Sequence, residues 1–343
     1  MDIVSSLPDF VGTKKRGQPA WQESIKNAIR DPVELCRALD LPSATTASAT
    51  GAAGQFTVFV PREFLTKMKR GDPHDPLLRQ VLPTFAELDS RPDFSADPVG
   101  DQSAMLLPGL LQKYEQRVLL VTTGACAVHC RYCFRRHFPY SQTPPDTRLW
   151  TQAVERIAAD SSIREVLLSG GDPLTVRDEL LAQLVRQLSH ISHLRRLRLH
   201  TRLPIVIPQR VTNELVAWLR GTRLTPVVVV HANHPAELCQ EVITSLGRLI
   251  DHGIPVLNQA VLLRGVNDDV DTLARLCERL VDARVMPYYL HQLDRVAGAA
   301  HFEVDVQRGQ QLIEQLRQRL PGYAVPRYVV EMPGADSKTL LAG

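Results

Sequence analysis

Hydrophobic and polar positions along the chain change rhythm near residue 113. From there on, short β-rich apolar runs recur roughly every 30 residues, each followed by an amphipathic helical pattern. The runs at 118–122, 165–169, 196–200, 226–231, 255–261 and 285–290 are predicted strands. The stretches at 147–160, 178–188, 212–219, 235–251 and 269–283 are predicted helices between them. A last helix at 306–320 precedes another short apolar run at 328–331. Repeated strand–helix units argue for a parallel sheet, either doubly wound or an incomplete barrel, with ligands at the C-terminal strand ends in both cases. The first hundred or so residues read differently. Residues 21–39 are predicted helical, split by Asp31-Pro32. Residues 42–55, rich in Ser, Thr, Ala and Gly, are predicted to be a loop, 56–60 a short strand and 62–70 a helix. Residues 74–109, with many prolines and aspartates, are an expected extended arm on the main body. The expected division is a mainly helical extension and arm over 1–110 and a core over 111–343.

Composition narrows the class of protein. A 44% apolar and 22% charged content suits a globular fold, and a net charge of +3 by itself points to neither nucleic acid nor membrane. No apolar run reaches the roughly 20 residues of a membrane helix. Residues 1–17 lack the apolar core of a leader peptide, so a cytoplasmic location is expected. Of six cysteines, Cys36, Cys239 and Cys277 are scattered, while Cys126, Cys130 and Cys133 fall together. Clustered cysteines in such a chain suggest a metal or redox site rather than a disulfide framework.

Polar residues with chemical potential gather where strands are predicted to end. Cys126 follows the first, Gly170-Gly171-Asp172 the second, His200-Thr201-Arg202 the third and His231 the fourth. Asn258-Gln259 lies on the fifth, and Asp294 just past the sixth. One shared pocket would produce this pattern. Three thiolates suit three corners of a 4Fe–4S cluster, leaving one iron open, or a zinc site completed by His137. The residues alone leave both readings standing.

Cys126-x3-Cys130-x2-Cys133, with Tyr132 before the last cysteine, resembles the signature of radical S-adenosylmethionine (SAM) enzymes. Gly170-Gly171-Asp172-Pro173 is similar to that superfamily's glycine-rich strand end. The resemblance implies a partial (βα)6, TIM-like barrel, a 4Fe–4S cluster on the three cysteines, and SAM held by Gly170, Gly171, Asp172, His231 and Gln259. His200 and Arg202 stand beside them as further contacts or as supports. From about residue 113 to 339 the chain further resembles lysine 2,3-aminomutases, most closely at 126–136, 169–174, 258–268 and 287–294. That family carries pyridoxal 5′-phosphate (PLP) on a lysine in a glycine-rich loop, matched here by Pro333-Gly334-Ala335-Asp336-Ser337-Lys338. By the same resemblance Lys113 and Arg117 serve the PLP phosphate, Arg135 the substrate carboxylate, and Asp294 and Glu331 the far ammonium of L-lysine. The implied reaction is isomerisation of L-α-lysine to β-lysine: a SAM-derived 5′-deoxyadenosyl radical takes a β-hydrogen, and the nitrogen migrates with the help of PLP. A reductant such as flavodoxin or ferredoxin is implied, and a homo-oligomer is compatible.

The runs 133–140 and 286–291 and the Ser337-Lys338-Thr339 ending resemble the bacterial branch called EpmB, which makes (R)-β-lysine for elongation factor P and works with a lysyl ligase. The sequence ends at Gly343, whereas clostridial aminomutases continue into an oligomerisation segment. Two other readings remain at this level: a zinc-stabilised binding protein, and a radical SAM enzyme of other chemistry, such as a methylthiotransferase, without PLP.

Overall fold

Residues 20–140 and 147–343 are described by the structure, a computed structural model; the expectations for residues 1–17 lie outside them. The chain begins with short helices, α1 (Ala20–Lys26) and α2 (Pro32–Ala38), broken where expected: Asp31 accepts the Val33 N–H at 2.9 Å and Pro32 occupies the first turn. The stretch expected to be a loop forms α3 (Ser43–Ala52), because its small residues have somewhere to pack; Ala49 and Ala52 are fully buried. Alanine is the best helix former, and here the Ser/Thr composition masked it. The expected strand at 56–60 pairs only through the isolated bridge of Val60 with Ile29, since its carbonyls serve the cysteine loop instead. The helix expected at 62–70 shortens to α4 (Arg62–Leu65). Along the expected extended arm, α5 (Pro76–Arg79) is capped by Asp75, and a single 3-10 turn, Phe85–Leu88, carries a Thr84/Glu87 capping box.

Among the described residues, ten strands form one sheet whose spatial order is the chain order. β1 (Met105–Leu107), β2 (Leu110–Tyr114) and β3 (Arg117–Thr123) run antiparallel. β4 (Glu165–Gly170), β5 (Arg196–Thr201), β6 (Thr225–Val230), β7 (Val256–Val261) and β8 (Met286–His291) each pair in parallel with the strand before. These are the six predicted strands, β3 to β8, and their sequential order is that of an incomplete barrel rather than of a doubly wound sheet. β9 (Arg327–Val330) joins β8 as a further parallel strand, and β10 (Thr339–Ala342) closes back on it antiparallel. β1 and β10 remain the two ends of the sheet, so the barrel is partial.

Helices α6 (Thr147–Ala158), α7 (Asp178–Ser189), α8 (Leu203–Val206), α9 (Asn213–Arg220), α10 (Gln240–Asp251), α11 (Val270–Asp282) and α12 (Val306–Arg319) intervene. Thr212, Asp269 and Asp305 cap α9, α11 and α12, accepting N–H groups of Leu215, Thr272 and Gln307 at 2.8–3.1 Å. The helix expected from 235 starts later. A 3-10 turn, Pro235–Glu237, precedes α10 because Glu237 is turned inward, bonded to the N–H groups of Asn233 and His234 and to Arg202.

Burial alternates along the strands. Val166, Leu168, Leu197, Leu199, Val228 and Val230 are sealed with the helices in one core, which also takes in Trp21, Leu35, Phe64 and Leu77 from the N-terminal segment. The opposite face, with Leu167, Arg198, His200, Leu257 and Gln259, is only half-buried. A barrel lumen is ordinarily filled by apolar branched side chains; this one carries Arg198, His200 and Gln259 among its half-buried lining. No helix among the described residues is long and apolar enough to cross a membrane.

Glu87 shows how tightly the N-terminal segment is tied in. Its side chain is fully buried and accepts Arg131 Nε at 2.8 Å and Arg136 Nη2 at 2.9 Å, both guanidinium groups being buried too. Removing one partner of such a network leaves charge unpaired in the interior, at a cost of about 3–5 kcal/mol. Glu87→Ala is therefore expected to lower unfolding stability by that amount in urea titration; a change under about 1 kcal/mol would contradict the pairing.

Candidate active site at the open strand ends

The cysteine loop leaves β3 at Thr123 and is held from outside itself. His129 N–H donates to the Phe59 carbonyl at 3.0 Å, and Arg131 N–H to that of Gln80 at 2.8 Å. Hydrogen-bonded turns, Cys133 N–H to Cys130 O and Arg136 N–H to Cys133 O, carry the chain past the last cysteine. Burial raises the Cys126 thiol well above its ordinary range and Cys133 to about 11, with neighbouring cysteines adding to it. Such groups become thiolates when a metal compensates them. Arg202 Nη1 lies 2.7 Å from Cys130 Sγ, and Arg202 is itself fixed by Glu237 at 2.9 Å and Gln80 at 2.6 Å. His137 does not join the set. Its Nε2 lies 3.1 Å from the Ala297 carbonyl oxygen, and no three His, Cys, Asp or Glu side chains among the described residues converge on a single-ion site. With His137 engaged elsewhere, three thiols remain, a donor set that fits a cluster with one open iron better than the four protein ligands of structural zinc.

β4 ends against this loop. Gly170 has φ +124°, and a Cβ on Gly171 would stand 2.3 Å from the Ala125 carbonyl oxygen, so the two glycines let strand end and cysteine loop touch. Gly171 N–H donates to Thr123 O, and Asp172 N–H to Ala125 O, both at 2.7 Å. The Asp172 carboxylate is fully engaged, accepting Thr201 Oγ1 at 2.7 Å and the N–H groups of Arg202, Leu203 and Leu174 at 2.7–3.1 Å. Burial nonetheless pushes it up to about 6. It knots the ends of β4 and β5 together.

Below the cysteines, the lumen holds a chain of alternating charges. Arg135 Nε donates to Asp101 Oδ2 at 2.7 Å, Lys113 Nζ lies 2.7 Å from Asp101 Oδ1 and 3.2 Å from Glu331 Oε1, and Glu331 Oε2 accepts Lys338 Nζ. Arg135 also reaches Ser169 Oγ at 3.2 Å. Burial would raise the Glu331 carboxyl, but Lys338 and Lys113 outweigh it and hold it at about 2. Asp294, in the same field, is pushed the other way by burial, to about 7, which Lys338 only partly offsets. Three imidazoles border this space and are kept neutral by burial: His231 falls to about 3, and His200 and His291 well below the usual range. Gln259 Nε2 lies 3.5 Å from His231 Nδ1, and the rings of His200 and His231 meet edge-on at 5.9 Å.

The structure thus brings the predicted Lys113, Arg135, Glu331, Asp294, His231, Gln259 and Lys338 around one lumen. Glu331 is bound to the two lysines rather than standing free beside Asp294. Arg117, at the start of β3, lies with its guanidinium 4.5 Å over the Tyr114 ring. Buried polar atoms without a partner remain at Arg117 Nε, Tyr114 Oη, His200 Nε2 and His291 Nε2. Orphaned donors and acceptors in a half-open lumen are what polar cofactors would satisfy. Sequence reading missed Asp101, Ser169, Tyr114 and His291. Asp101 carried no local signal, being one acid among several in a proline-rich arm; His291 could have been flagged from its place at a strand end.

The Radical SAM superfamily model matches residues 120–277, from β3 through most of α11. Fold and site together define a radical SAM enzyme, a class built on a 4Fe–4S cluster and SAM. Over 327 residues the chain is 44% identical to the L-lysine 2,3-aminomutase of Haemophilus influenzae, covering 95% of this chain and 97% of that one. The Escherichia coli enzyme of the same name is 45% identical over 322 residues, 94% of each chain. That of Clostridium subterminale is 37% identical over 322 residues, 93% of this chain and 77% of that one. The chain belongs to the lysine 2,3-aminomutase family, isomerases whose cofactors are the 4Fe–4S cluster, SAM and PLP. Among solved structures, Streptococcus suis SuiB bound to S-adenosylmethionine aligns over 64% of this chain and 51% of its own, at 13% identity and a TM-score of 0.47, too slight a likeness to argue from.

Gly171→Ala places a methyl group against backbone that cannot step aside. The variant is expected to lose most of its iron and acid-labile sulfide while remaining folded by circular dichroism. Full iron content would show that the close approach is not required.

Proposed function

We propose that this chain converts L-lysine to β-lysine, of R configuration, in the cytoplasm, and that the product is destined for elongation factor P through a lysyl ligase. The observation that carries the substrate is the charge layout of one lumen, with a buried guanidinium, Arg135, and two carboxylates, Asp294 and Glu331, around Lys338. A diamino acid has one carboxylate and a distant ammonium to satisfy that arrangement. The elongation-factor destination rests on the resemblance of residues 133–140 and 286–291 to the EpmB branch. Flavodoxin or ferredoxin is the proposed electron donor.

In this reading Cys126, Cys130 and Cys133 hold the cluster. Gly170, Gly171, His231 and Gln259 form the wall for SAM, with Asp172 shaping it, since its carboxylate is spent on the fold. Lys338 takes PLP, whose phosphate Lys113 and Arg117 serve. When bound, the cluster and SAM supply a hydrogen-abstracting radical, and PLP supplies a conjugated carbonyl that makes an amino nitrogen mobile.

The protein's own residues do the placing. Arg135 is tethered at two nitrogens, so its fork is fixed before a carboxylate arrives. Glu331 stays charged, and engagement of Lys338 elsewhere leaves it a position open to the substrate ammonium. Asp294 becomes a good acceptor only when ionised, and a cation beside it favours that form. The imidazoles, being neutral, do not repel the ammonium.

Anaerobically reduced holoenzyme with SAM and lysine is expected to give (R)-β-lysine on chiral chromatography; no β-lysine would sink the reading. Lys338→Ala should lose the PLP absorbance that borohydride fixes in the wild type, yet keep the cluster's brown colour. Retained covalent PLP would refute Lys338. The pH dependence has a definite sign. Asp294, raised to about 7, is protonated below that pH and cannot pair with an ammonium. Lysine KM should therefore rise as pH falls below about 7, by up to about tenfold per unit, and the slope should vanish in Asp294→Asn. An identical slope in both proteins would remove Asp294 from the site.

A further inference from the structure

Asp101 is an aspartate of the N-terminal arm, 1% exposed, and it gives one oxygen to each of two cations that come from different parts of the chain. Oδ1 lies 2.7 Å from Nζ of Lys113 on β2, and Oδ2 accepts Nε of Arg135 from the cysteine loop at 2.7 Å. Burial would favour its protonated form, but Arg135 and Lys113 outweigh that and hold the carboxyl below the usual range. Its backbone is prepared in advance. Asp97 accepts the N–H groups of Asp101 and Gln102 at 2.8 and 2.9 Å, and Gly100 takes φ +68°. A Cβ on Gly100 would press on Pro333 at 3.3 Å, so this turn sits directly against the loop that carries Lys338.

We infer that Asp101 is a positioning residue whose one carboxylate sets the spacing between the grip on the substrate carboxylate, Arg135, and the seat of the cofactor phosphate, Lys113. The inference rests on the roles proposed above for those two residues. The physical reason is rigidity. Lysine and arginine side chains are long and lose much freedom when fixed; a buried carboxylate shared between them fixes both at once, and relative to each other. Ser169 holds a second nitrogen of Arg135, and Glu331 a second contact of Lys113, so neither can swing without breaking a charged contact. Two anionic groups, the substrate carboxylate and the cofactor phosphate, would thus be received at a separation fixed before either binds.

Asp101→Asn keeps the shape but turns one acceptor into a donor facing a cation. In the holoenzyme we expect the KM for lysine to rise about tenfold or more, and the PLP dissociation constant, read by absorbance titration, to rise with it. Iron content and SAM binding should match the wild type. The double variant Asp101→Asn/Arg135→Lys should show a KM loss well short of the product of the single losses. Asp101→Glu separates positioning from mere charge balance. It keeps the charge and should fold with wild-type iron content, yet lengthening the clamp should still raise KM. Wild-type KM and PLP affinity in Asp101→Glu, or strictly multiplicative losses in the double variant, would overturn the inference. If Asp101→Asn does not accumulate as soluble protein, Asp101→Glu alone decides. Should wild type make no β-lysine, or Arg135→Lys leave KM unchanged, the proposed function fails instead, and that result is distinct from a silent Asp101.

Discussion

Charge taken out of water must be paired, and the inside of this barrel is arranged around that requirement. Arg131, Arg135, Arg136 and Arg202 come from or approach the cysteine loop, and all are buried. The counter-charges and acceptors come largely from the N-terminal segment. Glu87 answers Arg131 and Arg136, Asp101 answers Arg135, and Gln80 joins Glu237 on Arg202. The extension is therefore integral to the site: without it the loop that carries the cysteines would present several unpaired cations to a low-dielectric interior. Its hydrophobic residues, Leu35, Phe64, Leu77 and others, continue the core of the barrel, so packing and electrostatics fasten the same segment.

The same requirement explains the two depths of the site. Near the strand ends, the cysteine loop is pinned by backbone bonds to Phe59 and Gln80 and pressed onto Gly170 and Gly171, which fixes the loop that carries the three half-buried cysteines. Deeper in the lumen, charges alternate from Arg135 through Asp101, Lys113 and Glu331 to Lys338. A chain of this kind satisfies itself in the resting protein: Asp101 holds Arg135 and Lys113 in place, and the exchangeable contact is the one between Glu331 and Lys338. Asp294 differs because burial raises its carboxyl, an effect that Lys338 only partly offsets.

Much of the fold was legible because βα repetition is a local pattern. The six strands β3 to β8 and most of their intervening helices follow from alternating β-rich runs and amphipathic stretches, whereas that pattern left the sheet order open between a doubly wound sheet and an incomplete barrel. The N-terminal segment was less legible. α3 looked like a loop because its small residues have no hydrophobic stripe, and they pack only because α2 and the Phe85–Leu88 turn are there to receive them. The expected strand at 56–60 lost its ladder to the cysteine loop. Glu237 interrupted a predicted helix in order to reach Arg202.

By itself the sequence determined which groups could do chemistry: three cysteines at a short spacing, paired glycines after a strand, a lysine in a proline–glycine loop, and polar residues clustered at strand ends. These are determined by local spacing, and local spacing survives in one dimension. Only the tertiary structure decided how those groups are held. That Asp172 is consumed by the fold, that Glu331 lies between two lysines, and that Asp101 spans Lys113 and Arg135 depend on contacts between residues remote along the chain. Such contacts are set by burial and charge pairing in three dimensions, and no periodicity records them.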